Sequence, residues 1–134
     1  MTRAEARSVP PDPDRARQFL SASRQFVADG ERPELSRSSA LLIYYQGCVS
    51  AMKAILAAAG RDVGGGDAGH LVLIAETVGL LGPAYADLLN RVAEDRRERN
   101  AVSYQAVGAT AMMVETVRQD ASDLLEAAER FVES

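Results

Sequence analysis

Apolar residues recur along this chain with a period near three and a half, and nowhere alternate with period two long enough for a convincing strand. That spacing predicts helices throughout. A first helix, capped by Asp12 or Asp14, runs to about residue 29 with Gly30 as its stop. Its inward face holds Ala16, Phe19, Leu20, Ser23, Phe26 and Val27. A second helix starts among Glu34, Ser36 and Ser38 and ends at Ala59, where Gly60 stops it. Leu41, Tyr45, Cys48, Val49, Met52, Ile55, Leu56 and Ala59 form its core stripe. The opposite side carries Gly47, Ser50, Ala51, Ala54, Ala57 and Ala58, and from Ser38 to Gly60 the one charge is Lys53. A helix so nearly free of charge is buried on more than one side. It is either the centre of a monomeric bundle or the seam of a close-packed dimer.

A third helix from about Gly69 to Leu81 places Leu71, Ile74, Ala75 and Val78 on one face, and Gly82 ends it. Pro83 suits the first turn of a fourth helix that reaches about Tyr104. A fifth starts near Thr110 and runs to Val132, with Val114, Val117, Ala121, Leu124, Leu125, Ala128 and Val132 in phase. Residues 1–11, containing Pro10 and Pro11, read as a flexible leader, and residues 12–134 as one helical domain. Residues 61–69, RDVGGGDAG, read as a flexible connector; the lysine and hydroxyl residue of a phosphate loop are missing from them. The fold class is all-α, an up-and-down bundle of about five helices.

Composition narrows the picture. With 134 residues, 47% of them hydrophobic and 25% charged, the chain suits one globular domain. Cys48 alone excludes an internal disulfide framework, and its place in the core stripe makes it a buried thiol. The N-terminal residues lack the apolar core of a secretory signal. Gly47, Lys53, Glu76 and Gly79 interrupt the apolar stretches, none of which approaches the roughly 20 residues of a membrane span. The expectation is a cytoplasmic protein with no membrane partner. A net charge of −4 makes it a poor general nucleic-acid binder, so any contact with RNA must come from a local cluster.

The fourth helix holds such a cluster. Tyr85, Leu88, Leu89 and Val92 define its inward stripe, and the same phase continues through Arg96, Arg99 and Ser103, with Asn100 on its shoulder. Inward-facing arginine and asparagine need partners. Either Glu94, Asp95, Glu98 or acids elsewhere pair with them, or the face opens onto a cleft for an anion such as a phosphodiester. Glu94 with Asp95, and Glu126 with Glu129, otherwise fit solvated helix faces. The sole histidine, His70, is either a helix-start contact or a proton-transfer group reaching the cleft. One histidine and one cysteine far apart make no zinc site, and neither a metal nor a cofactor is expected.

Residues 96–104, RRERNAVSY, resemble the signature helix of HEPN domains (higher eukaryote and prokaryote nucleotide-binding). There an arginine, often followed by a polar residue, precedes a histidine by four to six residues. Arg99, Asn100 and Tyr104 match that spacing, with tyrosine at the histidine position, and Arg96-x-x-Arg99-Asn100-x-x-x-Tyr104 looks like the pattern of some bacterial members. The resemblance implies a helical bundle that dimerises to bring two motifs into one cleft. It implies a metal-independent endoribonuclease of the toxin–antitoxin or defence kind, often paired with a minimal nucleotidyltransferase or antitoxin partner. Arg99 would bind phosphate, Asn100 would orient it and Tyr104 would complete the catalytic trio, with Arg96 and His70 as ligand-binding residues. An ordinary tyrosine, with a pKa of about 10, is a poor base, so weak or absent cleavage is expected. The alternative is a non-catalytic protein–protein interaction module whose arginine cluster is structural.

Overall fold

The structure, a computed structural model, describes residues 6–63 and 66–134. It is an all-α bundle of five helices: α1 (Pro13–Gly30), α2 (Arg37–Ala59), α3 (Gly66–Leu81), α4 (Ala86–Tyr104) and α5 (Ala111–Glu133). The helix ends have the chemistry expected of them. Asp12 accepts from the Arg15 amide, Ser36 from the Ser39 amide and Thr110 from the Met113 amide, each satisfying an orphan donor of the first turn. Pro83 begins a short 3-10 turn, Pro83–Tyr85, that feeds α4.

Helix α2 is the axis on which all the others pack. Leu41, Tyr45, Cys48, Met52 and Ile55 are all essentially inaccessible, and burying each large apolar side chain stabilises the fold by roughly 1.5–3 kcal/mol. Its small-residue side is covered as well. The Ser23 hydroxyl of α1 donates to the Gly47 carbonyl at 2.8 Å, and a Cβ on Gly47 would lie 3.3 Å from a Val27 methyl. The chain's own α1 therefore occupies the face that offered a dimer seam, and α2 is the centre of a bundle. By length and composition α2 can also cross a membrane, contrary to the reading of its interruptions. Its apolar window has a mean hydropathy of 1.4, and 78% of that window is buried inside the fold.

Four local expectations change. The leader is tied down over its described part: β1 (Arg7–Ser8) pairs antiparallel with β2 (Arg61–Asp62), and the amides of Val9 and Asp12 donate to the carbonyls of Gly60 and Ala57. Residues 1–5 lie outside the described residues. The expected connector at 61–69 holds that second strand and the first turn of α3, which starts at Gly66; residues 64 and 65 lie outside the description. Among the described residues of α3, Gly69, Leu73, Ile74 and Thr77 are buried, while Leu71 is half exposed and Ala75 exposed. That helix is apolar on nearly every side, so its pattern does not select a face. Gly30 ends α1 without a left-handed turn. A Cβ there would sit 2.5 Å from the ring of buried Tyr44, so glycine is needed for contact. Gly60 does take the left-handed turn, at φ 73°.

Candidate functional site

The second half of α4 carries the motif. Leu88, Leu89 and Val92 are buried as expected, but the next fully buried position is Asp95; Arg96, Arg99 and Asn100 are half-buried, and Ser103 is exposed. The motif thus lies on the shoulder of the core face.

Arg99 is the centre of a cluster drawn from three helices. Its Nη1 donates to Oδ1 of the neighbouring Asn100 at 2.8 Å. Its guanidinium carbon lies 5.6 Å from the Tyr45 ring centroid and 5.8 Å from that of Tyr104, both within cation–π range. Tyr45, buried on α2, has its hydroxyl 3.4 Å from Nδ1 of His70 on α3, and the two rings are 5.9 Å apart. Among the described residues no carboxylate pairs with Arg99. Of the acids that could have done so, Glu94 pairs with Arg97, Asp95 is buried beside Asp120, and half-buried Glu98 has an Oε2 with no hydrogen-bond partner among the described residues.

The structure therefore brings Arg99, Asn100, Tyr104 and His70 together. The residue the pattern missed is Tyr45, which reads as core yet links His70 to Arg99. Its signal was present: of the two adjacent tyrosines on α2, it lies squarely on the inward phase. Arg96 is half-buried one turn before Arg99 on the same helix. Tyr104 is 72% exposed, its ring forming the outer wall of the cluster.

A second polar group lies beneath the motif. Asp95 and Asp120, on α4 and α5, are each 2% exposed, and each has an Oδ2 with no other hydrogen-bond partner among the described residues. The expectation that Asp95 is solvated is thereby overturned. Its position three residues after Val92 carries it inward. Burial, the bond to Asp120 and the charges of Asp120 and Glu98 push the Asp95 carboxyl up to about 9, with Arg91 opposing. Asp95 is therefore protonated at neutral pH and can donate to Asp120, which also accepts from Arg91 Nε at 3.0 Å. Burial is the chief cause that raises the Cys48 thiol and keeps it unreactive. Among the described residues no group of three His, Cys, Asp or Glu side chains is placed to hold a metal ion.

Comparison of the chain with protein-family models, with curated proteins and with solved structures finds no match.

Proposed function

We propose that this chain is an HEPN-like, RNA-binding protein of the toxin–antitoxin or defence kind, with weak ribonuclease activity at most. The observation that carries the reading is Arg99: a half-buried guanidinium between two tyrosine rings, with no carboxylate partner among the described residues and a histidine one contact away. A planar guanidinium suits two phosphate oxygens, and exposed Tyr104 offers a ring on which a base can stack. Asn100, already hydrogen-bonded to Arg99, holds the fork in place.

Cleavage by this set would remove the 2′-hydroxyl proton and let that oxygen attack phosphorus. A cyclic phosphate forms, and the departing 5′-oxygen takes up a proton. Tyr104 can donate. The base is the weak point, and His70, which reaches the cluster through Tyr45, is the residue assigned to it.

The working form we propose is a homodimer in the cytoplasm. With α2 enclosed, support for it comes from the site's rim: Leu71, Tyr104, Val107 and Met112 are 50%, 72%, 45% and 79% exposed, large apolar side chains on segments that flank the cluster. The same rim would serve an antitoxin or a minimal nucleotidyltransferase. It also favours the second reading, a protein–protein interaction module without catalysis.

A gel assay on mixed cellular RNA with EDTA present separates the two. Slow cleavage by the wild type, lost in Arg99→Ala and in His70→Ala, is expected. Cleavage that survives Arg99→Ala would refute the assignment, and neither cleavage nor binding by any variant would favour the interaction module.

A further inference from the structure

Away from Arg99, the tied-down leader forms one wall of an open cleft of about 530 Å³ against α1, α2 and α3, a size typical of small-molecule sites. Its walls include Pro10, Pro11, Phe19, Leu56 and Leu73. The leader's hydrogen bonds to Ala57 and Gly60 set the rim in place before any ligand arrives. Five charged residues line it, and their engagements differ. Arg61 donates to Glu76 and to Ser8, Asp62 pairs with Arg7, and Asp12 caps α1. Arg15 and Lys53 have no carboxylate among the described residues. Their charged groups lie 4.9 and 5.9 Å from the centroid of the same Phe19 ring. Lys53 is the chain's one lysine, half-buried on a helix otherwise uncharged beyond its first residue.

We propose that this cleft binds a small amphipathic anion, with Arg15 and Lys53 holding the anionic head and Leu56, Leu73 and Phe19 facing the apolar body. Two cations converging on one apolar hollow are complementary to a negative head on a greasy body. A cationic ligand would meet their repulsion, and a neutral one would leave half-buried Lys53 without a counter-charge. The head is a carboxylate or a phosphate, since both accept from guanidinium and ammonium groups. The site is independent of the RNA reading.

The probe is 8-anilinonaphthalene-1-sulfonate, a fluorescent amphipathic anion, titrated into the ¹⁵N-labelled full chain and followed by NMR and fluorescence. We expect saturable shifts confined to residues 9–19, 53–63 and the turn around Leu73, and about tenfold weaker binding in each of Arg15→Met and Lys53→Met. Lys53→Arg retains affinity, and the amide spectrum reports that each variant is folded. Displacement by decanoate assigns a carboxylate on a chain, and displacement by adenosine monophosphate a phosphate on a flat body. Absence of saturable binding, shifts centred on residues 99–112, or unchanged affinity in the Arg15→Met/Lys53→Met double variant would overturn the proposal.

Discussion

Asp95 shows how a single residue couples the site to the fold. Its folded-state pKa of about 9 lies far above the ordinary aspartate value, mainly because burial disfavours the charge. The unfolded chain gives up that proton near pH 4, while the folded chain keeps it to about pH 9. Between those limits the folded state binds more protons, so this residue's contribution is full below pH 4 and falls as pH rises, the loss complete above 9. Asp95→Asn keeps a donor for Asp120 and removes the titration. Urea midpoints should show the variant matching the wild type near pH 4 and exceeding it by at least about 1 kcal/mol at pH 9. A variant less stable than wild type at both pH values would contradict the protonated pair. The signal for Asp95 was legible as a polar residue in phase with Leu88 and Val92. Asp120 likewise adjoins the stripe of Val117, Ala121 and Leu124. What no pattern on one helix shows is that two such residues meet, because that depends on how α4 is set against α5.

The helices were readable because each carries its own period and its own caps: Ser36, Gly60 and Thr110 mark ends that periodicity alone places to within a few residues. The two-residue strands were not, since so short a ladder leaves no alternation to detect. Nor was the pairing of faces. Small residues on α2 invite close approach by any helix, and only packing decides that α1 supplies it. Gly30 gives a test of that packing. Because the Tyr44 ring lies where a Cβ would go, Gly30→Ala should destabilise the fold by about 1–3 kcal/mol in a denaturant titration, even though alanine is the better helix former. A neutral or stabilising outcome would show that α1 does not seat against Tyr44 as described.

At the scale of the whole molecule, apart from Val9 on the leader, the large apolar side chains exposed among the described residues are Leu71, Tyr104, Val107 and Met112, on segments that flank the motif. Light scattering at micromolar concentration should give about twice the 14.4 kDa chain mass, and Met112→Glu should shift it towards the monomer. The motif itself was legible as residues, Arg96 to Tyr104, but not as a site, because its inner wall, Tyr45, and its histidine come from helices distant in sequence. The most direct test of the central claim is fluorescence anisotropy of a labelled single-stranded RNA in EDTA, over a range of salt. The account requires saturable binding, weakened at least tenfold by Arg99→Ala and unaffected by Asp95→Asn. The salt slope should be about −0.7 for each phosphate held, small because each copy offers few free cations. Binding that is absent, or equally strong with Arg99→Ala, would contradict it.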